Sequence, residues 1–167
     1  MRLHRIYFYD ARPLTGTATV PLAGGKVDFG ATPVVARSNS LQAALKREPF
    51  FALRYGELIH EGWRLKSKVM RKSGPKITID ASDIEPSIRQ KGVDMRIGLD
   101  IASLTLKRHV QAIVLVTADS DFIPAMKFAR REGAQLFLVT LGHGIKESMR
   151  EHADLVIDVL PPPAAAA

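Results

Sequence analysis

Apolar runs alternate with amphipathic stretches along the second half of the chain. Three apolar runs predict strands, at 112–117, 135–141 and 155–160. Helical patterns predict helices over 94–108, from 122 to a stop at Gly133, and near 146–152. The first two apolar runs are typical of strands buried on both faces of a parallel sheet. The order therefore predicts an α/β fold with a mainly parallel sheet and helices on both faces.

The first half of the chain has a weaker pattern. Residues 6–9 form a short β-prone run, and residues 11–37 are rich in Gly, Pro, Thr and Ala and predict a long loop. Helical stretches are predicted on both sides of Pro49, over 39–46 and on to about residue 61, followed by an alternating strand over 64–70. We expect one domain over 1–160 and a disordered tail over 161–167.

The 167 residues include no cysteine, which excludes disulfides, thiolate zinc sites and cysteine nucleophiles. No apolar run approaches the roughly 20 residues needed to cross a bilayer, and the N-terminus lacks the apolar stretch of a signal peptide. We therefore expect a cytoplasmic protein that has no membrane partner.

Positive charge is concentrated in one part of the chain. The net charge is +7, and residues 64–108 contribute an excess of six positive charges. A local positive field of this kind suits a polyanion such as nucleic acid, although a solvated basic face is an alternative. The predicted nucleic-acid contacts are Arg64, Lys66, Lys68, Arg71, Lys72, Lys76 and Lys91.

Four aspartates are the candidate chemical groups. Asp119 and Asp121 directly follow a predicted strand, at the sheet edge where α/β proteins bind ligands. Carboxylate oxygens on such a turn suit Mg²⁺. Asp94 lies at a predicted helix start, and Asp100 lies among apolar helical neighbours, so we expect it to be partly buried.

Each of these acids also has a structural interpretation. Asp121 could cap the following helix, with Pro124 in its first turn, and Asp94 could cap its own helix. Asp100 could form an ion pair with Arg96 or Lys107.

Three segments of the chain resemble a known family. Residues 7–11 (Tyr-Phe-Tyr-Asp-Ala), 91–94 (Lys-Gly-Val-Asp) and 116–122 (Val-Thr-Ala-Asp-Ser-Asp-Phe) are similar, in this order, to the NYN domain. That family is a bacterial and eukaryotic branch of the PIN-like nucleases that includes the LabA-like proteins. The resemblance implies a Rossmann-like three-layer α/β/α fold and RNA phosphodiester hydrolysis with Mg²⁺ or Mn²⁺. It also implies that Asp94, Asp119 and Asp121 are metal ligands and that Asp100 is an auxiliary acid.

The chain departs from the family at its start. The family normally opens with a strand that ends in an Asp-Gly-x-Asn type motif, whose Asp is a principal metal ligand. Here the chain begins at what resembles the second strand, so we expect the first strand and its Asp to be missing. Three explanations are open: the chain is a fragment or a shortened start of a longer protein, a homodimer or another chain completes the sheet, or Asp10 takes over the role of the missing Asp.

Three functions remain open from the sequence. The leading hypothesis is a metal-dependent ribonuclease whose basic residues hold the RNA backbone without reading its sequence. The alternative is a catalytically silent RNA-binding or protein-interaction module of the same fold. A third hypothesis is another Mg²⁺-dependent phosphotransfer enzyme or phosphatase.

Overall fold

The computed structural model describes residues 2–22 and 24–160, which fall into two compact units. One unit is Arg5–Val93, and the other comprises residues 2–4 and 94–160. The single domain over 1–160 stays a prediction. The predicted disordered tail, 161–167, lies outside the described residues.

The first unit contains five strands and one α-helix. In chain order they are β1 (Ile6–Ala11), β2 (Thr17–Thr19), β3 (Lys26–Asp28), α1 (Pro33–Leu45), β4 (Phe51–Leu65) and β5 (Ile84–Lys91). Two short 3₁₀ helices, Val69–Arg71 and Ala81–Asp83, lie between β4 and β5. β1 pairs in parallel with the first half of β4, and β5 pairs antiparallel with the second half. This sheet is therefore mixed, and β2 and β3 form a separate antiparallel hairpin.

Several sequence predictions in this unit are wrong. The helix expected up to residue 61 is instead part of β4, because β1 and β5 supply backbone partners along its length. Gly62 does not end a helix: it has φ +106° and lies where the β4–β5 register shifts, between His60 and Trp63. A bulge there lets the strand continue. Of the strand expected over 64–70, only the first two residues belong to β4, and part of the loop expected over 11–37 forms the β2–β3 hairpin.

The second unit follows the predicted alternation of helices and strands. Its elements are α2 (Val93–Leu106, whose first residue belongs to the first unit), β6 (Ala112–Val116), α3 (Ile123–Arg131), β7 (Gln135–Val139), α4 (Glu147–Arg150) and β8 (Leu155–Ile157). The strands form a fully parallel sheet in the order β6-β7-β8. The α/β class is thus confirmed, while the three-layer arrangement stays a prediction.

One hydrophobic cluster forms the core of this second unit. Its buried members are Ile101, Leu115, Phe122, Met126, Ala129, Ala134, Leu136, Leu138 and Met149. Leu136 and Leu138 of β7 are fully buried, as expected for the middle strand of a sheet that is covered by helices. This packing fixes the position of the turn that follows β6.

The expectation that β6 is buried on both faces is wrong. Leu115 lies in the core, but Val114 and Val116 are 52% and 56% exposed. Among the described residues β6 pairs only with β7, so it is an edge strand, and its second face remains uncovered. The expected homodimer or completing chain stays a prediction.

In the part of the chain that the structure describes, no helix has the length and apolar character needed to cross a membrane.

Candidate functional site

The acidic turn after β6 is ordered by its own hydrogen bonds. The Asp119 amide donates to the Thr117 hydroxyl oxygen at 3.1 Å, and the Asp121 amide donates to the Asp119 carboxylate at 2.9 Å. Asp119 is therefore the N-cap of a short 3₁₀ helix, Ser120–Phe122. One of its carboxylate oxygens is engaged in this local bond.

Asp121 does not cap α3, which was the alternative interpretation of this residue, and Asp119 caps the preceding 3₁₀ helix. α3 begins at Ile123 with Pro124 in its first turn, and the residue before it makes no side-chain capping bond. The reason is that the 3₁₀ helix separates the acidic turn from α3. The Asp121 residue is exposed beside this turn.

A lysine from a distant part of the sequence reaches the same turn. The Lys146 ammonium donates to the Ser120 hydroxyl oxygen at 2.9 Å. A cation therefore lies at the residue between the two aspartates, where it offsets part of their negative charge. Sequence analysis missed Lys146, because nothing in the local pattern links it to a turn 26 residues earlier.

Asp94 and Asp100 both lie on α2. Asp94 is exposed in the first turn of the helix, where the helix dipole favours a negative charge. Asp100 is half-buried, which confirms the burial expected from its apolar neighbours.

The described residues do not form a ready metal site. Over 2–22 and 24–160, no group of three or more His, Cys, Asp or Glu side chains is placed to hold a metal ion. Asp94, Asp119 and Asp121 are therefore not brought together into a three-carboxylate group in the described part of the chain. Their assignment as metal ligands stays a prediction.

The predicted nucleic-acid contacts belong to the first unit, and two of them surround a buried carboxylate. The side chain of Asp83 is only 4% exposed. Its two carboxylate oxygens lie 3.1 Å from the Lys72 ammonium nitrogen and 3.4 Å from the Lys68 ammonium nitrogen. The Lys66 ammonium donates to the neighbouring Ser82 carbonyl oxygen at 2.8 Å. These three lysines therefore hold the Ala81–Asp83 turn as well as contributing positive charge.

Further predicted contacts form exposed ion pairs. Arg64 pairs with Glu85 at 2.9 Å, and Lys91 lies 3.5 Å from Glu61. Exposed pairs of this kind are worth only about 0–1 kcal/mol, so a phosphate could compete for these cations. In the described ranges Arg71 and Lys76 form no ion pair, and both are exposed, which makes them the most available of the seven residues.

We expect the stability of the first unit to depend on the ionisation of Asp83. The pKa of Asp83 lies below the ordinary value of an aspartate, mainly because the Lys72 ammonium donates a hydrogen bond to it; Lys68 adds to this lowering, while burial opposes it. Because the pKa of Asp83 is lower in the folded state than in the unfolded state, ionised Asp83 stabilises the fold at pH values above the unfolded-state pKa. This stabilisation is lost as the pH falls through the folded-state pKa.

The measurement compares wild type with the Asp83→Asn variant in urea unfolding across pH. We expect the wild type to be the more stable at neutral pH and the difference to shrink below pH 3.8. A difference that is independent of pH would show that the two lysines do not stabilise the Asp83 carboxylate.

The comparisons with known proteins identify the family. The model of the NYN domain matches residues 39–160, which is most of the chain. The chain belongs to the NYN domain family. Membership implies a PIN-like α/β fold and a nuclease-like class of function. All four candidate aspartates and all seven basic residues lie inside the matched NYN range, whereas β1 lies before it.

A curated relative has a shorter match. The "Uncharacterized protein MJ0482" of Methanocaldococcus jannaschii is 29% identical to this NYN chain over 75 residues. The match covers 45% of this chain and 31% of the relative, so the chain spans about a third of that protein's length. No solved structure matches the chain.

Proposed function

We propose that this NYN-domain chain hydrolyses phosphodiester bonds of RNA in the cytoplasm. Asp94, Asp119 and Asp121 are the proposed metal-site acids for Mg²⁺ or Mn²⁺, and Asp100 is the proposed auxiliary acid. The supporting observation is the family match, which contains all four acids and includes the turn after β6. Ligands of α/β sheets bind at this carboxyl edge.

A divalent ion, when bound, would supply a polarised water and stabilise the departing oxygen. The described acids do not form a three-ligand group. Asp94, Asp119 and Asp121 are therefore proposed only as the residues that would hold such an ion. The chain itself contributes an ordered turn, held by Thr117 and Asp119, and the Lys146 ammonium beside it. That ammonium is suited to attract a phosphate oxygen.

The basic residues of the first unit are the proposed RNA contacts. Arg71 and Lys76 lack ion pairs among the described residues, and Arg64 and Lys91 have only exposed ones. Contacts from such side chains to phosphates position RNA without reading its sequence. Lys68 and Lys72 are less available, because they neutralise the buried Asp83 carboxylate.

A specific observation favours a second candidate, an RNA-binding module that does not cleave. One oxygen of Asp119 is committed to the local cap, and no three-acid group is present among the described residues. A chain of this kind would keep the basic surface and bind RNA with a steep salt dependence.

Incubation of the chain with labelled single-stranded RNA distinguishes the candidates. We expect cleavage in Mg²⁺ or Mn²⁺ and none after both ions are removed with EDTA, because the proposed acids need a cation to act on a phosphodiester. Binding is measured in parallel by fluorescence anisotropy at several salt concentrations.

The possible results assign different functions. Salt-sensitive binding with no cleavage in either ion would replace the nuclease proposal with the silent module. Turnover of a small phosphate ester such as p-nitrophenyl phosphate, without RNA cleavage, would indicate the phosphatase class instead.

A further inference from the structure

The first unit contains a polar cavity of about 230 Å³ that the proposed function does not use. It lies beside the carboxyl end of β1, and residues of α1 and β4 contribute to its wall. Its lining includes two cationic side chains and one phenol, which belong to Arg12, Lys46 and Tyr55. Arg12 directly follows the carboxyl end of β1, as the turn that contains Asp119 follows the carboxyl end of β6.

The hydroxyl group of Tyr55 is buried without a partner. Its oxygen forms no hydrogen bond to any described atom, although Tyr55 lines the cavity. A buried hydroxyl group that loses water without gaining a partner destabilises a fold, and most such groups in proteins are satisfied. The Tyr55 hydroxyl is therefore an unused donor next to the cavity, and a ligand that reached it would accept its hydrogen bond.

Two cations lie close to the same aromatic ring. The Arg12 guanidinium carbon is 5.1 Å from the Tyr55 ring centroid, and the Lys46 ammonium nitrogen is 5.8 Å from it. Neither cation forms an ion pair with the described residues, and the cavity wall includes no Asp or Glu. The cavity wall therefore carries two positive charges and no acid, and an anion bound there would be attracted to both.

The nearby acid, Asp10, is already engaged. One of its carboxylate oxygens accepts a hydrogen bond from the Ala11 backbone amide at 2.7 Å. The other accepts a hydrogen bond from the side-chain amide of Gln42 at 2.9 Å. Gln42 is buried, so this arrangement fixes the wall of the cavity. Asp10 itself is not part of the lining, which leaves the cavity with an excess of positive charge.

We propose that this cavity binds a phosphoryl group. A guanidinium fork and an ammonium group are the usual partners of phosphate oxygens, and the Tyr55 hydroxyl can donate to a third oxygen. Asn39 and Thr15, which also line the cavity, supply further neutral donors. The inference does not depend on nuclease activity, because its residues are separate from the four aspartates.

The test measures thermal unfolding and calorimetric binding with inorganic phosphate at constant ionic strength. We expect phosphate to raise the midpoint of wild-type unfolding, since a ligand that binds only the folded state stabilises it. Tyr55→Phe should weaken phosphate binding about tenfold, which corresponds to one hydrogen bond to a charged group. Lys46→Gln should weaken it by at least about tenfold.

A neighbouring residue provides the matched control. Arg47 is an exposed basic residue next to Lys46 that does not line the cavity, so Arg47→Gln should leave phosphate affinity within about twofold. Without phosphate, Tyr55→Phe should not lower the unfolding midpoint, because it removes an unsatisfied polar group. This readout separates loss of the site from loss of folding.

Three further ligands identify the source of the phosphoryl group. Binding of a 5′-phosphorylated RNA, but not of the same RNA with a 5′-hydroxyl, would indicate a terminal phosphate, and equal binding of both RNAs would indicate a backbone diester. Binding of a mononucleotide alone would indicate a small molecule. Failure of wild type to bind phosphate, equal binding of acetate, or phosphate binding unchanged by Tyr55→Phe and Lys46→Gln would overturn the proposal.

Discussion

Asp119→Asn should lower RNA cleavage at least about 100-fold while RNA binding is kept. Loss of a group that only supports a metal ligand lowers metal affinity or activity about 10–100-fold. Loss of a direct ligand should therefore lower the cleavage rate at least as much. The substitution is well suited to the structure. Asparagine keeps the oxygen that accepts the Asp121 amide and is itself a good N-cap, so it removes the charge and leaves the turn intact.

The chain offers a control with the same local geometry. The Asp80 carboxylate accepts the Ser82 amide at 2.7 Å at the start of the 3₁₀ helix Ala81–Asp83, as Asp119 accepts an amide at the start of Ser120–Phe122. Asp80→Asn should therefore leave the cleavage rate within about twofold of wild type. Full activity of Asp119→Asn, or an equal loss in both variants, would remove Asp119 from the proposed site.

Gly56→Ala should destabilise the first unit by about 3 kcal/mol, at the upper end of the usual cost of overpacking. Gly56 pairs with Ala11 in the β1–β4 ladder. An added Cβ atom would lie 2.5 Å from the Lys91 carbonyl oxygen and 2.7 Å from a Val93 methyl group. The carbonyl belongs to the backbone at the end of β5, so the sheet itself would have to move.

Urea unfolding gives the free-energy change, and Gly25→Ala in the same unit is the control. A Cβ atom at Gly25 would meet nothing within 4 Å, and its φ is not in the left-handed region. That variant should change the free energy of unfolding by less than about 1 kcal/mol, in the stabilising direction. Similar effects of the two substitutions would show that the contact at Gly56 is not as close as described.

The second unit was predictable because its local patterns agree with its long-range contacts. Part of each predicted element forms the core: Leu115 of β6, Leu136 and Leu138 of β7, and Met126 and Ala129 of α3. Their local periodicity therefore locates these elements. The strand β4 was not predictable in this way. Pro49 and Gly62 are residues typical of helix ends. The segment between them forms a strand because it pairs with β1 and β5, and this pairing is not visible in the local sequence.

The candidate site was predictable in its residue types but not in its contacts. Aspartates after β6 are evident in the sequence, yet the cap made by Asp119 and the approach of Lys146 depend on a 3₁₀ turn and on α4. The basic segment shows the same limit. Its charge can be counted, but the burial of Asp83 between Lys68 and Lys72 requires the fold.

The open edge of β6 has a consequence for handling the protein. Its five residues, Ala112–Val116, are all apolar, contain no proline or charge, and pair on one side only among the described strands. Short segments of this composition readily add strands from other molecules and seed aggregates. We therefore expect this strand to limit the concentration at which the purified chain stays monomeric, and Val114→Lys to raise that limit by placing a charge on the exposed edge.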